Sequence, residues 1–351
     1  ATEFSGYADG VYVSKNPLEG YEYQQHNPFS YKPGGFARGA GHGATFQDNY
    51  GNYWHVSTIF ISTKNNFERR LGIWPAGFDK DDVMYSNTAY GDYPTYIPEF
   101  AQGKDFTKGL FTGWMLLNYQ KPVAASSTLG GYQANFAVDE DIKTYWSAKS
   151  GNSGEWFQTD LGEISTINAI QINYADQDAE FMGKTLGKMH QYKIYSSNDG
   201  KNWKVLIDKS KNTTDVPHDY IELEKPAKAR FLKMENLKMP TGKFALSGFR
   251  VFGKGGGDKP DKVENFVPLR ADPKKFGERR SIWMKWKQNE KADGYMIYFG
   301  KTPDKLYGSI MVYGKNEYFF TGADRTDAYY FQIEAFNNNG ISERSEVFKS
   351  E

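Results

Sequence analysis

The 351-residue chain carries 43 Lys+Arg and 43 Asp+Glu, so its formal charge is zero, and it contains no cysteine. That balance gives no electrostatic case for nucleic acid or an anionic membrane surface, and the lack of thiols excludes a disulfide framework and Cys-ligated metal. An aromatic content of 17% with 36 glycines favours β-rich structure with many turns, and the length favours two or three domains. No run of about 18 apolar residues occurs, so no membrane insertion is expected.

Residues 10–20 predict a strand ending in the Asn16-Pro17 turn, with residues 21–25 pairing back on it. A glycine cluster follows at residues 34–43. Residues 44–48 predict a short strand, residues 49–52 a hairpin turn, and residues 53–60 the returning strand. Short strands joined by tight turns indicate a sheet or a propeller blade. His42 stands between Gly41 and Gly43. Glycine permits backbone conformations and close approaches that other residues forbid. His42 is therefore either a turn histidine or one delivered to an ion, a water or a substrate oxygen.

The run from Tyr12 to Gly20, the Gly39, Gly41 and His42 cluster, and then Asp48, Gly51 and Tyr53 together resemble the last blades of glycoside hydrolase family 43. The resemblance implies a five-bladed β-propeller that cleaves xylosides and arabinosides. It also implies that His42 lies near the propeller axis, beside an ion or water. Arg69 and Arg70 precede Leu71-Gly72-Ile73-Trp74-Pro75, which looks like the family's closing segment. One of these arginines would approach the sugar; the alternative is a solvated basic pair. An inverting glycosidase needs two carboxyl groups about 6.5–9.5 Å apart across the scissile bond. Asp9, Glu19, Asp48, Asp79 and Asp82 match none of the family's three catalytic carboxylates. Residues 1–117 are thus expected to be C-terminal blades without catalytic residues, inactive alone and lacking an N-terminal propeller half. Isolated blades would leave open strand edges that must be covered.

Residues 118–254 form a second unit. Between Glu155 and Ala175, apolar residues at Ile170, Ile172 and Tyr174 alternate with polar ones, the period of a half-buried strand, after a turn expected at Gly162-Glu163. Asn198-Asp199-Gly200 between two alternating runs predicts a hairpin. An antiparallel jelly-roll sandwich is expected, with Trp146, Trp156 and Trp203 in its core. The segments Ala137-Val138-Asp139 to Trp146-Ser147, Glu155 to Gly162, Tyr192 to Trp203, and Phe249 to Gly253 resemble the discoidin-like (factor 5/8 type C) fold of family 32 carbohydrate-binding modules.

Asp139, Asp141 and Thr144 place hard oxygens within six residues, a spacing suited to Ca²⁺; the bland alternative is a solvated acidic loop. The resemblance would complete that site with a glutamate near the last strand, where Gly248 and Arg250 stand instead. A sugar face needs an aromatic platform and a few hydrogen-bonding groups, and Tyr132, Phe181 and His190 are the loop candidates. Galactose-binding relatives often place an arginine where this chain has Ala175-Asp176-Gln177.

Gly255-Gly256-Gly257-Asp258-Lys259-Pro260 predicts a flexible linker. Alternating runs at 281–286, 294–299 and 329–336 predict an immunoglobulin-like sandwich over 261–351. It resembles a fibronectin type III domain, with Trp286 as core tryptophan and Tyr329 as corner tyrosine. The expectation is an all-β, periplasmic or extracellular glycosidase tail acting on plant-type oligo- or polysaccharide. The alternative is a non-catalytic carbohydrate-binding or adhesion protein.

Overall fold

The alternating stretch after Glu155 becomes one 19-residue strand, Trp156–Tyr174, in the computed structural model, which describes residues 7–61, 69–101, 110–180, 187–270 and 280–350. The turn expected at Gly162-Glu163 is a bend within this strand. Gly162 takes φ 84°, and pairing with His218–Lys238 shifts register between Asp160 and Ser165. A second shift between Ile167 and Ala169 reverses the facing parity. Ile167 and Ile170 therefore both reach the sandwich core, while Ala169 packs on the opposite side.

The chain is all-β. The middle unit orders its strands as Trp146–Ser147, Ala245–Lys254, Trp156–Tyr174, His218–Lys238, Gln191–Ser197 and Lys204–Asp208. Val123–Ala125 and Met115–Leu116 add to it at the sides. The expected hairpin forms, and the Asp199 carboxylate accepts the N–H groups of Lys201 (2.9 Å) and Asn202 (2.8 Å). Trp146 is fully buried against Phe157 and Phe244. Trp156 and Trp203 are only half-buried, contrary to expectation. Trp156 neighbours the inward-facing Phe157 and so faces outward, and Lys233 Nζ lies 4.4 Å over the Trp203 ring.

Among the described residues of the first 117, Arg38–Gln47, Tyr53–Phe60, Arg69–Phe78 and Met84–Ser86 make one four-stranded meander. Two short ribbons join it, Ala8–Asp9 with Ser30–Tyr31 and Tyr12–Val13 with Glu22–Tyr23. The Asp48 carboxylate shapes the expected turn by accepting the N–H groups of Tyr50 (2.8 Å) and Asn52 (2.9 Å) and the Trp54 indole (2.9 Å).

The last unit packs a three-stranded sheet (Val267–Arg270, Ile282–Lys285, Glu317–Phe320) on a five-stranded one led by Gly308–Tyr313, Gly294–Gly300 and Tyr330–Asn337. Trp286 is buried between them, and the Tyr329 hydroxyl accepts the Asp324 N–H at 3.0 Å.

Tyr90, Tyr93, Met115, Leu116, Phe252, Met296, Met311 and Phe336 share one apolar cluster, so all three units meet. The glycine stretch read as a flexible linker is pinned. Gly255 N–H donates to Asn338 O (2.9 Å), Gly256 N–H to Glu163 Oε1 (3.1 Å) and Gly257 N–H to Asn339 Oδ1 (3.0 Å). Its glycines allow this approach, because a Cβ on Gly255 would stand 2.0 Å from Asn339 Oδ1.

Candidate functional site

The middle sandwich carries a cleft of about 220 Å³ at one end of its long strands. The exit of Trp156–Tyr174 builds one wall. Tyr174 N–H donates to Pro217 O and Ala175 N–H to Ala245 O, both 2.9 Å, which fixes the loop that follows. Asp176, Lys188, Asp215, Met239 and Thr241 complete the rim. Tyr174 and His190 form the floor, with ring centroids 4.1 Å apart. The Tyr174 hydroxyl is buried and has no hydrogen-bond partner in the structure. A buried hydroxyl left unpaired costs about 1–3 kcal/mol, so this oxygen is a weak point of the core beneath the cleft.

Burial pulls the His190 imidazole down to about 3, with His218 adding to the effect. His190 Nδ1 accepts the Val216 N–H at 3.1 Å. Asp215 Oδ1 lies 3.0 Å from the same nitrogen, but the geometry is not that of a charged pair, because the ring lone pair is already engaged. Burial also raises the Asp215 carboxyl. His190 is therefore a neutral floor for the cleft.

Of the sugar-face candidates, His190 lines this cleft. Tyr132 stands behind it, tilted on Tyr145 at 4.6 Å and packed with Ala175. The Tyr145 hydroxyl donates to Gln177 Oε1 at 2.7 Å, which braces the 175–180 loop. Phe181 lies outside the described residues. Arg70 comes from the first unit yet lines the same cleft, donating to the Arg69 carbonyl at 3.0 Å. Arg69 places its guanidinium 5.8 Å from the Tyr7 ring. Neither Tyr174 nor the rim from 188 to 241 was singled out in the sequence. The one available signal was a tyrosine ending an apolar run at a loop.

Asp139, Asp141 and Thr144 do come together, as a self-satisfied turn. Asp139 accepts the Asp141 N–H (2.9 Å) and the Thr144 hydroxyl (2.7 Å), and Asp141 accepts the Lys143 N–H (3.0 Å). Among the described residues no group of three or more His, Asp or Glu side chains is placed to hold a metal. The positive charge at this place is the Arg250 guanidinium. It forks onto Glu140, Nε–Oε1 and Nη2–Oε2 both 2.9 Å, and Nη1 donates to Asp92 O and Gln171 Oε1, both 2.7 Å. Lys32 Nζ adds an ion pair to Asp92 at 3.1 Å. Burial raises the Glu140 carboxyl against the pull of Arg250. Asp92 is held low by Lys32 and Arg250 in spite of burial.

His42 is exposed at φ 56°, and its backbone N–H donates to Asp9 Oδ1 at 2.8 Å. The buried histidine is His55, with Nε2 3.0 Å from Asp9 Oδ2 and Nδ1 3.0 Å from Thr45 Oγ1. His55 sits inside an alternating strand, where a polar residue at an inward position was the missed signal.

Residues 122–248 match the family model described as F5/8 type C domain. The middle sandwich is an F5/8 type C domain. Similar solved structures include chitosan-binding module 1 from a chitosanase/glucanase of Paenibacillus sp. IK-5, 24% identical over 40% of this chain and 99% of that one, TM-score 0.34. Module 2 of the same enzyme, in complex with chitotriose, is 26% identical over 39% and 99%, TM-score 0.34. The family 32 module from Clostridium perfringens NanJ, in complex with galactose, is 17% identical over 40% and 98%, TM-score 0.33. No curated protein matches the chain. The F5/8 type C domain thus presents its loop-end cleft beside Arg70 of the preceding unit and fixes Arg250 against it.

Proposed function

We propose that this chain is a carbohydrate-recognising portion of a periplasmic or extracellular glycoside hydrolase acting on plant-type xylosides or arabinofuranosides. The loop-end cleft of the F5/8 type C domain is its sugar site. The observation that carries this reading is a cleft floored by the Tyr174 and His190 rings, tilted on each other with centroids 4.1 Å apart, and rimmed by polar groups. Such a mixture suits a sugar, which offers an apolar C–H face and several hydroxyls. The family 43 resemblance of residues 1–117 supplies the glycosidase half of the proposal. It is supported by large apolar side chains left exposed on that unit, Leu18 90%, Leu71 77% and Tyr12 60%, against which further propeller blades would pack. The fibronectin type III-like unit acts as a brace.

Calorimetric titration with galactose, xylose, arabinose and their oligomers tests the binding. Saturable heat with one of them, lost in Asp215→Ala on the rim, is expected. No binding across that set overturns the reading. Release of nitrophenol from β-xylosides or α-arabinofuranosides by this chain alone overturns the assignment of catalysis to absent blades.

A further inference from the structure

A larger cleft, about 750 Å³, lies away from the loop-end site, where the three units converge. Arg38 comes from the first unit, Asp141 from the F5/8 type C domain, and Trp283, Lys315, Glu317 and Phe319 from the last. Its size falls within the range of about 300–1,000 Å³ usual for small-molecule sites.

Trp283 and Phe319 are directly paired across neighbouring strands, 46% and 48% exposed, and Leu269 continues the row on the other side of Trp283 at 60%. Neighbouring strands are about 4.8 Å apart, so this row is an apolar platform about 10 Å long. The indole is held in place. Its Nε1–H donates to Glu317 Oε2 at 3.2 Å, and Lys285 Nζ sits 3.9 Å over the ring. A ring fixed before binding loses little freedom on binding.

The polar groups facing the platform are of both signs. Arg38, Lys315 and the Lys285 that sits over the indole oppose Asp139, Asp141 and Glu317, while Glu140 is already neutralised by Arg250. This cleft concentrates no single charge, so it does not select phosphate or a uronic acid. It offers donors and acceptors beside an aromatic face, which is the chemistry of a neutral sugar chain.

We propose that the three-unit cleft is a second carbohydrate site, taking a neutral oligosaccharide along the Leu269–Trp283–Phe319 row. This rests on the carbohydrate reading above, but uses none of the loop-end residues. It also explains why the units are locked together, since Arg38, Asp141 and Trp283 face one ligand only if three segments keep their positions.

The test uses the full chain and titration calorimetry with neutral hexasaccharides (xylo-, arabino-, cello- and chitohexaose), with oligogalacturonate as anionic control. The wild type is expected to bind two molecules of one neutral hexasaccharide and no oligogalacturonate at this site. Trp283→Ala and Phe319→Ser, both surface changes with unaltered melting temperature, should each leave one molecule bound and weaken the lost site at least about tenfold. Asp215→Ala on the loop-end rim should remove the other molecule instead. Wild-type stoichiometry in both aromatic variants overturns the second site while the loop-end reading stands. Loss of binding only in the aromatic variants supports the second site and overturns the loop-end one. Self-association that Trp283→Ala abolishes, with no sugar bound, makes the platform a protein contact and overturns the proposal.

Discussion

Arg250 and Glu140 meet fork on fork, with two 2.9 Å hydrogen bonds between side chains that are each 2% exposed. The pair lies on the back of the F5/8 type C sheet, roofed by Asp92 and by the rings of Phe36, Tyr93 and Phe252 at 4.7, 5.6 and 4.8 Å. Two buried cations, Lys32 and Arg250, are balanced by two buried anions, Asp92 and Glu140. The first unit is therefore fastened to the second by charge as well as by apolar contact.

Removing one member leaves an uncompensated buried charge. Arg250→Met is expected to lower stability by about 3–5 kcal/mol in urea unfolding. Adding Glu140→Gln to it should recover part of that loss. A sum equal to the two single effects would show that the pair does not act as a unit.

Tyr174→Phe tests the buried hydroxyl. The hydroxyl has no partner to lose, so stability should stay within about 0.5 kcal/mol of wild type or rise. A destabilised Phe variant would show that the hydroxyl already holds a structural bond.

Asp293 is pushed up to about 6 by burial, against the pull of Lys121 and the Asn338 N–H. An acid raised on folding contributes stability that is complete below its ordinary value of 3.8 and is lost as pH rises through about 6. Asp293→Asn should therefore gain about 1–2 kcal/mol over wild type at pH 7.5 and nothing at pH 3.5. Melting temperatures across that range check the crossing.

His190 gives the opposite slope. Its folded value of about 3 lies below the ordinary 6.5, so the native state takes up its proton later than the unfolded chain. Stability from this group is complete above pH 6.5 and falls as the pH drops toward 3. His190→Gln should remove about 2–4 kcal/mol of acid sensitivity between pH 7 and pH 4. Equal acid sensitivity in both proteins would contradict a neutral buried imidazole.

Lys305 ties the last unit to the first. Nζ lies 2.6 Å from both Asp79 Oδ2 and Asp81 Oδ2, beside the Tyr85–Tyr307 stack at 4.3 Å. Lys305→Ala should cost about 1–3 kcal/mol, with little dependence on salt because Lys305 and Asp79 are each only 10% exposed. A Lys305→Ala variant that melts with the wild type at both low and high salt would show that the contact carries no stability.

Much of the local structure was legible. The alternation ending at Tyr174 marked the central strand, and Asn198-Asp199-Gly200 marked the hairpin of Gln191–Ser197 with Lys204–Asp208. Trp286 in the last core and the hydrogen-bonded Tyr329 hydroxyl lie where the resemblance to a fibronectin type III domain implies them. The reading of Gly162-Glu163 as a turn erred because a bulge and a turn both use a glycine at positive φ. The reading of residues 255–260 as flexible erred because composition describes a chain's freedom before anything docks on it.

The sequence by itself determined the all-β class, through period two and turn chemistry, and the F5/8 type C domain, through the motifs that resemble that family, because all of these are properties of neighbouring residues. Only the tertiary structure decided that Arg250 is roofed by Asp92, that Arg70 reaches the cleft of the next unit, and that Trp283 shares a cleft with Arg38 and Asp141. Those partners lie far apart along the chain, and what joins them is the packing of one sheet's back face on two other units, which no local pattern encodes.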